Sequence, residues 1–312
     1  MNRNTVHILL ATYNGEAYIR SMIHSLLNQD YSDFHIILSD DHSSDNTLRI
    51  LEEYATNYPN QITHYRSGQR FGCAQKHFMH LLNTFHDAPY IMFCDQDDIW
   101  HADKISKTLA EMHKIETDQA TPCMVHTDLR VVDTDLNELA PSFCHHSAIN
   151  GKRLSFHHLL VQNVVTGCTM MINRALAKLV CLQYDDNAML MHDWWIAILA
   201  SARGKTAFLD CATIDYRQHG NNSVGAKNIH SLSYLCKRLT SKSMRQVLRD
   251  AAKQAEAFRR CYRDLLTADQ LEVLDAFSRT QSASLFTRNR IYSQYDLKKD
   301  GLFRVIIQYL GL

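Results

Sequence analysis

Three carboxylates, Asp95, Asp97 and Asp98, lie within four residues of one another in the segment FCDQDDIW at residues 93–100. They follow directly after an apolar run at residues 90–94. Carboxylates at this spacing repel one another unless a positive charge lies among them. Hard oxygen ligands at the rigid end of a strand suit Mg²⁺ or Mn²⁺, which share their coordination with substrate phosphates. We therefore expect a divalent cation and a diphosphate to bind here. The alternative is an acidic turn in which Asp98 caps the next helix.

A second acidic segment, DDHSSD at residues 40–45, follows another apolar run at residues 34–39. A carboxylate of Asp40 or Asp41 could accept a hydrogen bond from the N–H of a nucleotide base. Ser44 or Asp45 is expected to begin the following helix as its N-cap. Simple capping explains the last two residues of the segment, but it does not explain both leading aspartates.

The segment HDWW at residues 192–195 places an acid immediately before an apolar helical pattern. Asp193 could be only an N-cap, or it could be a general base that removes a proton from an acceptor hydroxyl. Trp194 and Trp195 could form an apolar wall on which a sugar stacks. Core packing is the alternative for both tryptophans.

A fourth candidate segment, YRQHGNNS, follows a strand-like run that ends near residue 216. Arg217 is a candidate fork for a phosphate, because its guanidinium presents donors in a planar arrangement. His219 could bind a metal or donate a hydrogen bond to a diphosphate. An inert loop histidine is the alternative.

The elements that must position these residues alternate along the first third of the chain. Short apolar runs at residues 6–12, 34–39, 62–65 and 90–94 predict strands, and amphipathic helical patterns separate them. This alternation predicts an α/β fold with a largely parallel sheet. Ligands of such sheets bind at the carboxyl ends of the strands, where the acidic segments lie. The absence of G-x-G-x-x-G and G-x-x-x-x-G-K-[ST] argues against a dinucleotide dehydrogenase or a P-loop nucleotidase.

The rest of the chain divides near residue 225. Residues 124–220 mix short helices with strand-like runs at 124–132, 164–172 and 206–216, whereas the later residues keep helical spacing. Thr267 and Gln270 predict a capping box at the start of one of these helices. We therefore expect a catalytic domain at residues 1–225 and a helical region at residues 226–312.

Five ordered motifs resemble the family 2 glycosyltransferases with the GT-A fold, and their wording is most similar to bacterial rhamnosyltransferases of polysaccharide assembly. The resemblance covers about residues 5–225. It implies a Rossmann-like, mostly parallel mixed sheet flanked by helices, with a C-terminal helical appendage. The motifs are TYNGEAYI (12–19), SDDHSSDNT (39–47), DQDDIW (95–100), HDWW (192–195) and YRQHGNNSVG (216–225).

The resemblance also implies roles for individual residues. Asp95 and Asp97 match the D-x-D pair that serves the metal and the ribose, His219 supports the metal or diphosphate, and Asp193 matches the catalytic base of an inverting enzyme. Gly167 lies in a segment that resembles the floor of the acceptor site, beside Trp194 and Trp195. The residues expected to bind the nucleotide sugar are Thr12, Tyr13, Asn14, Asp40, Asp41, Asp95, Gln96 and Arg217.

The implied reaction is the metal-dependent transfer of L-rhamnose from dTDP-L-rhamnose to a saccharide or lipid-linked saccharide, with Mg²⁺ or Mn²⁺ as cofactor. A UDP-hexose or UDP-N-acetylhexosamine donor is the first alternative. The others are a non-catalytic sugar-nucleotide-binding protein and a metal-dependent phosphohydrolase.

Composition limits the partners and the compartment. The net charge is zero, with 33 basic and 33 acidic residues, which argues against a protein that coats nucleic acid. The balance is uneven, because residues 226–312 hold 16 basic and 8 acidic residues. Nine cysteines without a C-x-x-C pair, and no apparent secretory leader, predict reduced thiols in the cytoplasm.

The end of the chain suggests a surface for a membrane or a partner. Residues 297–310 combine apolar residues with three basic ones, Lys298, Lys299 and Arg304, but this stretch is shorter than the about 20 residues that span a bilayer. A basic amphipathic helix can lie on an anionic membrane surface. We therefore expect peripheral contact with the inner face of the cytoplasmic membrane, with docking on the body of the protein or in a homo-oligomer as the alternative.

Overall fold

The computed structural model describes residues 4–219 and 243–311. Within these residues, nine strands form one mixed sheet in the order β3-β2-β1-β4-β8-β6-β9-β5, with β7 beside β6. Its strands are β1 (Val6–Thr12), β2 (Phe34–Asp40), β3 (Ile62–His64), β4 (Tyr90–Cys94), β5 (Ile99–Trp100), β6 (Cys123–Val132), β7 (Glu138–Ala140), β8 (Met170–Asn173) and β9 (Lys205–Arg217). The first four strands run parallel. β8 is antiparallel to β4 and β6.

Helices cover both faces of this sheet, because successive strand residues join different cores. Leu9 and Ile37 belong to one buried cluster, whereas Leu10 and Leu38 belong to a second. The predicted α/β class is therefore confirmed. The described helices are α1 (Ile19–Leu27), α2 (Thr47–Asn57), α3 (Ala74–Phe85), α4 (Lys104–Ile115), α5 (Phe143–His146), α6 (Phe156–Val161), α7 (Arg174–Leu182), α8 (His192–Arg203), α9 (Ser243–Tyr262), α10 (Ala268–Arg279), α11 (Leu285–Gln294) and α12 (Leu302–Leu310), with 3₁₀ turns at Gly167–Thr169 and Arg263–Leu265.

The register of the parallel strands brings their carboxyl ends to one edge. Thr12 pairs with Asp40, and Leu10 pairs with Cys94, so the acidic residues after β2 and β4 flank the end of β1. The predicted meeting of the acidic segments is thus explained by strand lengths that match across the sheet.

One strand-like run was predicted too long. Only the last part of residues 164–172 pairs in the sheet, because a 3₁₀ turn at Gly167–Thr169 precedes β8. The N–H of Thr169 closes this turn on the carbonyl of Thr166 at 2.9 Å. Because of this turn, the N–H of Gly167 donates to Asp193 of α8 and not to a neighbouring strand.

The C-terminal helices share a core with the α/β part. Trp195 of α8 packs against Phe258 and Tyr262 of α9, with ring centres 5.2 and 6.0 Å apart. The Nδ1–H of His158 donates to the carbonyl of Lys298 at 2.9 Å, which ties α6 to the chain before α12. The predicted division near residue 225 falls outside the described residues, as do Gly220–Gly225 of the fifth motif.

The last helix docks its basic side on the body. Arg304 donates to the carbonyls of Ser147 and Ala148 at 2.6 and 2.7 Å, and Lys299 is buried. The expectation that these two residues face a membrane is therefore wrong, and the docking alternative holds for them. No described helix is long and apolar enough to cross a bilayer. All eight cysteines of the described residues are free.

Candidate active site

The loops after β1 and β2 are bound to each other. Asn14 adopts a left-handed conformation with φ of 48°. Its N–H donates to Ser43 Oγ, and its Oδ1 accepts from the N–H of Ser44, both at 2.8 Å. Thr12 Oγ1 donates to Asp40 Oδ1 at 2.9 Å. Ser44 therefore braces Asn14, and the N-cap of α2 is Asn46 rather than Ser44.

Both leading aspartates of the second motif hold backbone in place. Asp40 also accepts from the N–H of Ser43 at 2.8 Å. Asp41 is buried and accepts from the N–H groups of Phe71 and Gly72, so it fixes the loop before α3. This loop-holding role explains why two carboxylates follow β2. Recognition of a base by either one stays a prediction.

Gln96 pairs with the backbone of Tyr13 in both directions. Its Oε1 accepts from the Tyr13 N–H at 2.8 Å, and its Nε2 donates to the Tyr13 carbonyl at 2.9 Å. A Cβ on Gly15 would lie 2.3 Å from Gln96 Oε1, so only glycine admits this pairing. The ring of Tyr13 is 45% exposed, and the guanidinium carbon of Arg70 lies 5.7 Å from its centre. Tyr13 thus presents a partly exposed ring beside the acidic loop, on a backbone that Gln96 holds.

The acidic loop after β4 concentrates negative charge. Burial, and then the negative charges of Asp97 and Asp193, raise the pKa of Asp95 to about 7. Asp97 Oδ2 lies 2.7 Å from Nε2 of His219, and the ring of Tyr18 stacks on that histidine at 5.0 Å. The structure therefore brings Asp97 and His219 into direct contact, and Asp95 lies near enough for the charge of Asp97 to raise its pKa.

Asp98 lies beneath this loop and does not cap a helix. It is fully buried, accepts from the N–H of Arg217 at 3.1 Å, and has a pKa raised well above its usual range by burial and by Asp97 and Asp95. The N-cap of α4 is Asp103. In the described part of the chain, Asp95, Asp98 and Cys168 form the one group of three potential ligands whose atoms lie within 4.8 Å of one another. The ligand set predicted from the motifs, Asp95, Asp97 and His219, does not meet this distance criterion.

Arg217 positions the acidic loop. Its Nε donates to the carbonyl of Asp97 at 2.8 Å, and one Nη donates to the carbonyl of Thr134 at 2.6 Å. The guanidinium also lies over the ring of Tyr18, and the residue is 5% exposed. The prediction that Arg217 stands open as a phosphate fork is therefore wrong, because its donors hold backbone carbonyls of two loops.

Asp193 lies in the first turn of α8 with both carboxylate oxygens bound. Asn163 Nδ2 donates to Oδ1 at 2.9 Å, and the Gly167 N–H donates to Oδ2 at 2.8 Å. Burial raises the pKa of Asp193 to about 6, although these hydrogen bonds favour the charged form. A Cβ on Gly167 would lie 2.7 Å from Nε2 of His192. Glycine is therefore needed where this turn packs against the start of α8. A carboxylate with this pKa can accept a proton near neutral pH.

The two tryptophans of the third motif belong to the core. Trp195 is fully buried, and its Nε1 donates to the hydroxyl of Tyr262 at 3.1 Å. Trp194 is also buried and donates to the carbonyl of Leu159 at 2.6 Å. The expected sugar-stacking wall is therefore corrected to the core-packing alternative. Gly167, by contrast, lies beside Asp193, and its place in the floor of the acceptor site stays a prediction.

Comparisons with known proteins identify the family of this chain. The model of glycosyl transferase family 2 matches residues 7–180. The chain belongs to this family. The dTDP-rhamnosyl transferase RfbG of Shigella flexneri is 32% identical over 225 residues, which cover 70% of this chain and 74% of RfbG. The protein is thus a glycosyltransferase.

Solved structures show the GT-A fold of this family 2 glycosyltransferase. Residues 1–349 of TarS from S. aureus superpose with a TM-score of 0.58 at 17% identity, covering 93% of this chain and 74% of that one. GalNAc-T7, solved with UDP, GalNAc and Mn²⁺, superposes with a TM-score of 0.57 at 13% identity and covers 99% of this chain and 57% of that one.

The residues of the acidic loop fit a divalent cation. Burial, and then the negative charges of Asp97 and Asp193, raise the pKa of Asp95, and a cation beside Asp95 would offset the repulsion among these carboxylates. Asp95 and Asp97 offer carboxylate oxygens, which Mg²⁺ and Mn²⁺ prefer, and His219 offers an imidazole nitrogen.

Several residues of this family 2 site carried no recognisable signal of their own. Asn163 stands in no motif, and only the fold brings it to Asp193. Arg70 reaches Tyr13 from a loop between β3 and α3. Tyr18 lies inside the first motif, but its stacking between His219 and Arg217 joins residues about 200 positions apart.

Proposed function

We propose that the protein transfers L-rhamnose from dTDP-L-rhamnose to a saccharide or lipid-linked saccharide acceptor, with inversion, in the synthesis of a bacterial cell-surface polysaccharide such as O-antigen. The similarity to a dTDP-rhamnosyl transferase over most of both chains supports the donor. The observation that carries the chemistry is the buried Asp193 carboxylate, whose charge acts on Asp95 and whose pKa is raised to about 6.

The nucleotide lies, in this proposal, at the carboxyl ends of β1, β2 and β4. Thr12, Asn14 and the Asp40–Asp41 pair shape its pocket, and the exposed ring of Tyr13 faces the base or ribose. Gln96 fixes Tyr13, and Arg217 fixes the carbonyl of Asp97.

Asp95, Asp97 and His219 would hold the Mg²⁺ or Mn²⁺ of the D-x-D motif. When bound, such an ion neutralises charge that builds on the leaving nucleoside diphosphate. The direct contact between His219 and Asp97 supports the proposal that both bind the same metal ion.

Asp193 removes the proton from the acceptor hydroxyl as that oxygen bonds to the anomeric carbon and the bond to the diphosphate breaks. One base opposite the leaving group suffices for inversion, so no covalent sugar–enzyme intermediate forms. Hydrogen bonds from Asn163 and from the Gly167 N–H fix the orientation of the Asp193 carboxylate for this proton transfer.

The proposal includes a cytoplasmic site of action, with peripheral contact between the C-terminal region and the inner face of the membrane. A catalytic domain at residues 1–225 and a helical region at residues 226–312, and self-association through the latter, belong to the same proposal. The basic balance of residues 226–312 supports contact with an anionic surface.

A donor panel tests the proposed function. The purified protein is incubated with Mn²⁺ and, separately, dTDP-L-rhamnose, UDP-glucose, UDP-galactose or UDP-N-acetylglucosamine, and the released nucleoside diphosphate is quantified, with a chelator as control. We expect turnover of dTDP-L-rhamnose at least about tenfold faster than of the others. Preference for a UDP-sugar would replace the donor. Release of inorganic phosphate would indicate a phosphohydrolase, and donor binding without turnover, even with an acceptor mixture, would indicate a non-catalytic binding protein.

A further inference from the structure

A cavity of about 430 Å³ lies among the C-terminal helices, away from the residues of the candidate active site. Arg245 and Arg249 of α9 and Arg288 of α11 line it, together with Ser282 of the preceding loop. A fully charged guanidinium is the most permanent cation in a protein, so three at one cavity create a strong positive potential.

Within the described residues, no carboxylate balances this charge. Among residues 4–219 and 243–311, no ion pair joins Arg245, Arg249 or Arg288 to an acidic side chain. Arg245 Nε donates to the carbonyl of Gly311 at 2.7 Å. The Nε of Arg288 is buried without an acceptor. An anion in the cavity would relieve the electrostatic repulsion among the three guanidinium groups that line it.

The arrangement favours a phosphate group among anions. Phosphate oxygens accept paired hydrogen bonds from guanidinium forks, and several arginines can bind different oxygens of one tetrahedral group. The hydroxyl of Ser282 adds a neutral donor at the same wall.

An apolar surface adjoins the same cavity. Leu285 of α11 and Leu310 of α12 line it and are 48% and 56% exposed. Leu302 and Ile306 precede Leu310 at intervals of four residues, so the three exposed side chains form one stripe along α12. Phe286 is 81% exposed next to Leu285. A group of exposed apolar residues marks a contact surface. Here the Leu310 end of the stripe lies at the cavity lined by the three arginines.

We propose that Arg245, Arg249 and Arg288 bind the phosphate group of an amphiphile, such as a lipid headgroup, whose apolar part lies against Leu302, Ile306 and Leu310. This proposal names residues for the membrane contact that is part of the proposed function, and it rests on that contact. It does not depend on the sugar donor. The face involved differs from the basic side of α12, which is docked on the body.

Vesicle co-sedimentation of the full chain, with no donor or acceptor present, tests this site. The vesicles are phosphatidylcholine alone, phosphatidylcholine with phosphatidic acid, and phosphatidylcholine with oleate. All three carry the phosphodiester of phosphatidylcholine, whereas phosphatidic acid adds a phosphate monoester and oleate adds negative charge without further phosphate. We expect binding to the phosphatidic acid vesicles, competition by pyrophosphate, and weaker binding to the oleate vesicles. Equal binding to both anionic vesicles would overturn phosphate recognition.

Matched variants locate the site. Arg288→Gln and Arg249→Gln should each weaken binding to phosphatidic acid vesicles about tenfold, whereas Arg290→Gln, an equal charge change on α11, should have little effect. Ile306→Ser should weaken vesicle binding and leave pyrophosphate binding, measured by calorimetry, unchanged. Circular dichroism and thermal melting check that each variant is folded.

Two outcomes overturn the proposal. If Arg288→Gln and Arg290→Gln reduce vesicle binding equally, general charge and not this cavity attracts the membrane. If pyrophosphate binds in an arginine-dependent way but no vesicle does, the ligand is a free phosphate and not an amphiphile. Because neither measurement uses dTDP-L-rhamnose, failure here is distinct from failure of the donor panel.

Discussion

At the residue scale, the environment of Asp193 fits the general base that we propose. Its carboxylate accepts hydrogen bonds from Asn163 and Gly167, which favour the charged form, whereas burial favours the neutral form. Burial has the larger effect, so the pKa rises to about 6. A base with this pKa is mostly ionised at neutral pH and still binds a proton well enough to accept one from a hydroxyl.

The dependence of donor turnover on pH should report this group. A general base must be deprotonated, and a raised pKa places its protonation within reach of ordinary assay buffers. We expect kcat/KM to be level above neutrality and to fall tenfold per pH unit below about pH 6. A profile that stays level down to pH 4.5 would contradict the role of Asp193.

Removal of the Asn163 donor should move this profile. Asn163→Ala deletes a hydrogen bond to the charged carboxylate, so the pKa of Asp193 rises further and the acidic limb moves to higher pH by about one unit. The exposed Asn83→Ala on α3 is the control and should leave the profile unchanged. An unmoved limb in Asn163→Ala would show that the limb belongs to another group.

At the element scale, the end of β9 holds the loop after β4. Arg217 binds the carbonyls of Asp97 and Thr134, and its own N–H binds the buried Asp98. The sheet pairs β9 with β6 and β5, so this anchor is rigid. The position of the D-x-D pair is therefore set by a strand more than 100 residues later.

Arg217→Lys should weaken the use of the metal. Lysine keeps the charge but cannot reach both carbonyls with fixed geometry, so the loop that carries Asp97 loosens. We expect the Mn²⁺ concentration for half-maximal turnover to rise about tenfold, with turnover at saturating Mn²⁺ within about threefold of the original. Arg203→Lys, at the exposed end of α8, is the control. An unchanged dependence of turnover on Mn²⁺ would mean that Arg217 does not position the acidic loop for metal binding.

The elements themselves were largely predictable, because apolar runs and helical periodicity are local. The four parallel strands appear where these patterns place them, and the capping box at Thr267 and Gln270 is present. The roles of Arg217, Trp194 and Trp195 were not predictable, since each depends on what the fold brings against the side chain. The 3₁₀ turn that presents Gly167 to Asp193 was likewise hidden inside an apolar run.

At the scale of the whole molecule, charge and packing divide the chain differently. Residues 1–225 hold 17 basic and 25 acidic residues, and residues 226–312 hold 16 and 8. The described C-terminal helices nevertheless share a core with the α/β part through Trp195, Phe258 and Tyr262. The charge boundary therefore does not mark a boundary in the hydrophobic core.

Phe258→Ala should destabilise the molecule as one unit. The ring is fully buried against Trp195 and Tyr262, so we expect a loss of about 3–5 kcal/mol in the free energy of unfolding. Leu182→Ala, at a side chain that is 72% exposed, should cost less than about 0.5 kcal/mol. Separate melting of the C-terminal helices, with the α/β part unaffected, would show two independent folding units.

The central claim is that Asp193 serves as the base of a dTDP-L-rhamnose-dependent glycosyltransferase. The most direct measurement compares wild type with Asp193→Asn, which keeps size and shape, for turnover of dTDP-L-rhamnose with Mn²⁺ and for dTDP affinity by calorimetry. We predict a turnover about a hundredfold to ten-thousandfold lower, with dTDP affinity within about threefold of wild type. Normal turnover by Asp193→Asn would contradict the claim.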